Sequence, residues 1–191
     1  MKSFSEDYTL KEATLFSLQL MQLSKIIWRT IENDWENLLK PFRININEHQ
    51  ILSMAYSSPY ISITELAELG SMHITTAFNF SKRLKQKGYL RLIKNKAKNK
   101  NTCIELTKTG EELLVEILKS FKPHENEIFL GALSTKKLYG KLPNFTELLT
   151  LMRNIYGEDL ITLIDYCSSS IERNLIEEDG VLKKTIDKEV K

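Results

Sequence analysis

Ten of the chain's 27 lysines and arginines fall within residues 82–108, where only one acidic residue occurs. The segments on either side are mildly acidic, and the 191-residue chain carries a formal charge of only +2. Charge gathered in this way supports a local contact with a polyanion, where a diffusely basic surface would not. The cations come in two patterns. Lys82, Arg83, Lys85 and Lys87 follow one another along a segment of helical periodicity. Lys94, Lys96, Lys98 and Lys100 take every second position of KNKAKNKN, a stretch too polar to bury anything.

The segment HITTAFNFSKRLKQKG (73–88) leads into the first set. Ala77, Phe80 and Leu84 share one helix face at spacings of three and four, leaving Thr75, Phe78, Asn79 and Lys82 on the opposite one. Such an outward face fits the major groove of duplex DNA. Asn79 can donate to and accept from an adenine edge, while Thr75 and Thr76 can hydrogen-bond a base or touch a thymine methyl. The Phe78 ring can lie on thymine methyls or pack against another helix or the hairpin that follows. His73 suits the start of the helix, as a cap or a neighbour of phosphate. Lysine outnumbers arginine 21 to 6, which favours backbone positioning over bidentate guanine reading. Any base preference then leans toward A·T-rich DNA. Two copies of the patch would neutralise about 6–10 phosphates, so affinity would fall roughly 10³–10⁵-fold between 50 and 200 mM salt.

Short elements must position these residues. Ser62 with Glu65 three residues on reads as a capping box opening a helix whose inner side is Ile63, Leu66, Ala67 and Leu69. Gly70 permits the tight turn before the next helix, and Ala67 is small enough for the two helices to cross. Gly88 ends the second helix. Tyr89–Ile93 and Thr102–Leu106 read as two strands of a hairpin with the lysine-rich tip between them, and Thr107 caps a following helix from Lys108 to Leu118. Upstream, Asn47 is expected to cap a helix presenting Ile51, Leu52 and Ala55 inward.

Before this comes a helix from Thr9 to about Leu38, near 45 Å long at 1.5 Å per residue. Phe16, Leu20, Leu23, Ile27, Ile31, Trp35 and Leu38 form a stripe along it, with a second strip of Leu15, Leu18, Ile26 and Trp28. The stripe is either internal core or a face for a second chain. The last third reads as helices, one carrying Phe145, Leu148, Leu149 and Met152, and one running from Leu160 to about Ile176. The residues after Gly180 read as a frayed tail.

Other chemistries find little support. There is no phosphate-cradling glycine loop, nucleophile elbow, HExxH or paired acid/base constellation, so the chain is not expected to be an enzyme. Cys103 and Cys167 are too few for a zinc shell, and no metal or cofactor is expected. Cys103 is a buried structural thiol, or an oxidisable one if exposed. No apolar run approaches a membrane span, and Glu6, Asp7 and Glu12 interrupt any leader-like segment, so a cytoplasmic location without membrane contact is expected. Besides DNA binding, a winged-helix protein-interaction module remains open, as does an enzyme that uses the winged domain to dimerise.

SITELAELGSMHITTAFNFSKRLKQKGYL (62–90), the basic hairpin and ELTKTG (105–110) resemble the winged helix-turn-helix of the MarR family. NINEHQIL, KLYGKLPNF and RNIYGEDL extend the resemblance over nearly the whole chain, toward the branch that regulates protease production in bacilli. The resemblance implies a mainly α fold with a small β-hairpin wing and long dimerisation helices. It implies a homodimer bound to near-palindromic promoter DNA, with recognition helices about 34–36 Å apart. On this reading residues 1–44 are a dimerisation helix, with Phe16, Leu20, Leu23 and Ile27 at the interface. Residues 45–110 are the DNA-binding domain and 111–191 a C-terminal helical dimerisation region and tail. Ile74, Thr75, Thr76, Phe78 and Asn79 would read bases, and His73, Lys82, Arg83, Lys85, Lys94, Lys96, Lys98 and Lys100 would meet the backbone. The branch implies a repressor of extracellular protease and sporulation genes, although the same contacts serve an activator. A small-molecule effector of unknown identity is also implied.

Overall fold

The structure, a computed structural model, describes residues 8–94, 102–178 and 181–184. The expected phosphate contacts Lys96, Lys98 and Lys100 lie outside the described residues. The described residues are mainly helical, with the small antiparallel hairpin that the MarR resemblance implies and a second one that it does not. It divides into two compact units, Leu38–Phe121 with Pro143–Lys191, and Met1–Asn37 with Lys122–Leu142.

The larger unit contains the candidate site. Helix α2 (Ile46–Ser57) is capped by Asn45, two residues earlier than the sequence suggested. The Asn45 side chain accepts from the Glu48 N–H at 2.8 Å, and the Glu48 carboxylate accepts from the Asn45 N–H at 3.1 Å. Asn45 and Glu48 form a reciprocal capping box, and Asn47 becomes a first-turn residue. Helix α3 (Ile63–Leu69) begins with the expected Ser62–Glu65 box, its two hydrogen bonds 3.2 and 2.8 Å long.

In the turn after α3 the left-handed conformation falls on Ser71 (φ 48°), while Gly70 has an ordinary φ of −78°. Helix α4 (Ile74–Gln86) follows, and Gly88 ends it at φ 83°, a conformation glycine adopts without strain. The buried row of α4 is Ala77, Ser81 and Leu84, with Phe80 only half-buried at its margin. Spacings of three and four from Ala77 and to Leu84 predict Phe80 in that row, where the structure has the polar Ser81. Its small hydroxymethyl group is fully buried, as are Ala77 and Leu84.

Strands β1 (Leu90–Lys94) and β2 (Thr102–Leu106) pair antiparallel, with Arg91 opposite Glu105 and Lys94 opposite Thr102. The Ile104 N–H donates to the Ile61 carbonyl at 2.9 Å, stitching β2 to the chain just before α3. Cys103 and Ile104 are both fully buried, so both faces of β2 are covered at this point. Helix α5 (Lys108–Lys119) starts at Thr107, whose hydroxyl accepts from Gly110 N–H at 3.1 Å and donates to the Gly88 carbonyl at 2.7 Å.

The core joins Ile51, Leu52, Leu66, Leu84, Leu90, Ile104, Leu114, Ile117 and Ile161, all at most 2% exposed. Each such side chain contributes about 1.5–3 kcal/mol by leaving water. Helices α7 (Thr146–Tyr156) and α8 (Glu158–Asn174) complete the unit with a hairpin of β3 (Leu175–Glu178) and β4 (Val181–Lys184). That hairpin replaces both the expected extension of α8 to Ile176 and the expected fraying just after Gly180. Glu178 pairs with Val181, and the Lys183 ammonium lies 2.8 Å from the Glu178 carboxylate. The Asp-Gly dipeptide at 179–180 is a favoured hairpin signal in the sequence.

The smaller unit comprises most of α1 (Leu10–Leu39) and α6 (Glu127–Tyr139). The Asp34 carboxylate accepts from the Glu127 and Ile128 N–H groups, each at 3.1 Å, and so caps α6 from outside its own segment. Phe16, Leu23 and Ile27 remain about half exposed along α1, whereas Leu20 is half-buried. Leu15, Leu18, Ile26 and Trp28 are exposed as well.

Candidate nucleic-acid interface

The N-terminal end of α4 is organised by its cap. His73 Nδ1 accepts from the Thr75 N–H at 3.3 Å and stands 2.7 Å from the Thr75 hydroxyl. A nitrogen already accepting from a backbone N–H leaves the hydroxyl as donor, so Thr75 gives both its hydrogens to one ring nitrogen. The cap thereby fixes the threonine at the start of the outward face.

That face lines an open cleft of about 380 Å³ formed by Ile63, Thr64, Ile74, Thr75, Phe78, Asn79 and Thr102. Four of the five sequence-predicted base readers, Ile74, Thr75, Phe78 and Asn79, meet here. Ile74 and Phe78, one helical turn apart, are 45% and 41% exposed, which places the Phe78 ring outside the core. Thr76, the fifth, is half-buried and does not line the cleft. Thr64 and Thr102 were absent from the sequence-derived set. They come from the start of α3 and of β2, and only the fold brings them beside α4.

The cations divide into two groups. Lys82 and Lys85 are exposed on α4, and Lys94 is exposed at the end of β1. Arg83 and Lys87 instead turn toward Glu48, which is 1% exposed. Arg83 Nε is 3.5 Å from Glu48 Oε1, and Lys87 Nζ lies 3.2 and 3.3 Å from its two oxygens. The Lys87 ammonium also donates to the Arg43 carbonyl at 3.0 Å. Arg83 keeps half its surface in solvent and rests over the Phe80 ring, 5.5 Å from its centre. Glu48 was not singled out in the sequence, because its partners are 35 and 39 positions away and only its spacing from Asn45 is a local signal.

The base of the wing has its own polar tie. Arg91 lies 3.4 Å from the Glu105 carboxylate, which also accepts from the Tyr60 hydroxyl at 3.1 Å. Tyr60 reaches it from a left-handed backbone (φ 63°) beside Pro59. The adjacent carboxylate raises the Tyr60 phenol above its ordinary range, through the hydrogen bond first and charge second. Cys103 lies fully buried beneath this corner, a position that shields its sulfur from oxidants.

Among the described residues no three His, Cys, Asp or Glu side chains converge as metal ligands. No helix among them is long and apolar enough to cross a membrane. An exposed polar-apolar face, framed by a hairpin strand and flanked by exposed lysines, is suited to lying against a grooved polyanion.

Residues 44–100 match the MarR family model. Over 184 residues the chain is 46% identical to the HTH-type transcriptional regulator Hpr of Bacillus cytotoxicus, covering 96% of this chain and all of that protein. It is 45% identical over 188 residues to Hpr of Geobacillus thermodenitrificans, covering 98% and 94%. Among solved structures, a mutant MarR from E. coli complexed with operator DNA superposes with a TM-score of 0.56 at 15% identity, covering 78% of this chain and 99% of that one. Reduced AbfR bound to DNA gives 0.59 at 18% identity, covering 77% and 99%. At these identities the structures establish the shared fold, while the relatives nearer in sequence span the whole chain. The chain belongs to the MarR family of winged helix-turn-helix regulators.

Proposed function

We propose that the protein is a homodimeric repressor that binds promoter DNA and controls extracellular protease and sporulation genes. The observation carrying this reading is the exposed row Ile74, Thr75, Phe78 and Asn79 along one cleft, with Lys82, Lys85 and Lys94 exposed nearby. In this reading α4 lies in the major groove, with Asn79 on an adenine and Ile74 and Phe78 on thymine methyls. Thr76 contributes at the margin, and His73 meets a phosphate beside the helix start. Arg83 adds a backbone contact, and the wing lysines Lys96, Lys98 and Lys100 follow the neighbouring backbone.

The α1 stripe, exposed at Phe16, Leu23 and Ile27 and half-buried at Leu20, supports dimerisation through a second copy. Residues 1–44 and 111–191 then form the dimer body around the DNA-binding segment 45–110. Two α4 helices would enter successive major grooves about 34–36 Å apart. Similarity over the full length to relatives named as transcriptional regulators supports the regulatory role.

Capture of bound fragments from genomic DNA, followed by footprinting of the strongest site, tests the reading. Two protected half-sites about 10 base pairs apart, upstream of protease or sporulation genes, are expected. Purified protein that fails to retard any captured duplex in about 50 mM salt would overturn DNA binding. Sites confined to other gene classes would overturn the assigned targets alone.

A further inference from the structure

Glu48 does more than cap α2. From a position 1% exposed, its two oxygens face the Asn45 N–H, the one Lys87 Nζ that reaches both of them, and Arg83 Nε. Lys87 closes the C-terminal end of α4 and holds the Arg43 carbonyl as well. The acid therefore ties the start of α2 to the end of the groove-facing helix. It also neutralises part of the charge on Arg83 of that helix and on its C-cap Lys87, whereas Lys82 and Lys85 pair with no acid among the described residues. Resting on the DNA-binding reading above, we propose that Glu48 is a positioning residue that acts as an internal substitute for a DNA phosphate. It restrains Arg83 and Lys87 and sets the axial position of α4, so that indiscriminate backbone binding is held down in favour of sequence discrimination.

The physical basis is competition for the same cations. A guanidinium facing a buried carboxylate releases fewer condensed counterions from DNA than an unpaired ammonium. Each phosphate contact changes affinity about 3.5-fold between 50 and 200 mM salt, through a slope near −0.9 per contact. Replacing Glu48 with glutamine keeps an oxygen for the Asn45 N–H but removes the charge. Arg83, already half exposed, then turns its partial backbone contact into a full one, and the end of α4 loses its tether.

The test measures binding of the full-length protein to two duplexes of about 30 base pairs across a salt series, one random and one selected by the protein from a random pool. Glu48→Gln is expected to steepen the random-duplex slope by about one per released cation and to raise that affinity about 3-fold at low salt. The ratio of selected to random affinity should fall. In the otherwise native protein, Lys85→Gln should reduce the slope at least twice as much as Arg83→Gln, a comparison that holds even if Glu48→Gln does not fold. A purely structural Glu48 would weaken binding to both duplexes with slope and ratio unchanged. That outcome, or equal slope losses for Lys85→Gln and Arg83→Gln, overturns the proposal. Failure of the unaltered protein to bind either duplex instead overturns the DNA-binding reading itself, and this proposal with it.

Discussion

The Asp34 carboxylate accepts a hydrogen bond from the Glu127 N–H, 93 residues further along the chain, and one from Ile128 beside it. A side chain on α1 thus satisfies two of the N–H groups that the first turn of α6 cannot pair internally, and its negative charge faces the positive end of that helix. Asp34→Ala should lower stability by about 1–2 kcal/mol. Asp34→Asn, which keeps one acceptor oxygen but no charge, should cost less. Urea unfolding of the two variants checks the order, and equal losses would refute the charge contribution.

Asn79 and Lys94 divide the proposed recognition between base and backbone. Asn79→Ala should relax discrimination at one or two base pairs by about 1–3 kcal/mol. Lys94→Ala should weaken every sequence alike and reduce the salt slope by about one for each phosphate no longer neutralised. Competition binding with single-base operator variants separates the two. A uniform loss across sequences for Asn79→Ala would remove it from the set of base readers.

Gly110 lies buried in the first turn of α5, where an added Cβ would fall on the Tyr89 carbonyl oxygen and crowd Leu106. That carbonyl already accepts from the Thr107 N–H at 3.0 Å, so moving it also strains the hydrogen bond. Alanine is the better helix former by about 1 kcal/mol, but overpacking and the disturbed hydrogen bond outweigh that gain. Gly110→Ala should destabilise by about 1–3 kcal/mol net, read as a lower urea midpoint.

Burial of His49 on α2 pushes its imidazole down to about 4 from the usual 6.5. The unfolded chain therefore takes up a proton near pH 6.5 that the folded chain refuses until about pH 4. Stability from this group is full above pH 6.5, declines as the pH falls through that window and levels off below it. The loss is bounded by roughly 3 kcal/mol. Urea midpoints measured from pH 7.5 to 4 should fall accordingly, and His49→Gln should flatten that part of the curve. An unchanged slope in the variant would assign the effect to other groups.

Much of the DNA-facing segment was legible because its signals are local. The Ser62–Glu65 box, the Gly88 stop, the strand Thr102–Leu106 and the Thr107 cap each depend on residues within a few positions. At α2 two local signals competed, since Asn45 with Glu48 and Asn47 with Gln50 both fit the capping-box spacing, and the first is realised where Glu48 also meets Lys87 from a distant segment. Ser81 in the buried row escaped a pattern read from hydrophobicity, since what that position selects is small volume. The hairpin at 175–184 was hidden by its charge, although Asp179-Gly180 announced the turn. The Glu48 tether to Arg83 and Lys87, and the threonines Thr64 and Thr102 lining the cleft, required distant segments to be folded together.

The two feet of the wing meet at a single residue: Thr107 donates its N–H to the Tyr89 carbonyl and its hydroxyl to the Gly88 carbonyl. With β2 also hydrogen-bonded to Ile61, the hairpin's foundations are closed at its inner end. Replacements at the exposed outer end of β1, Lys94 among them, therefore leave the anchored base of the hairpin intact.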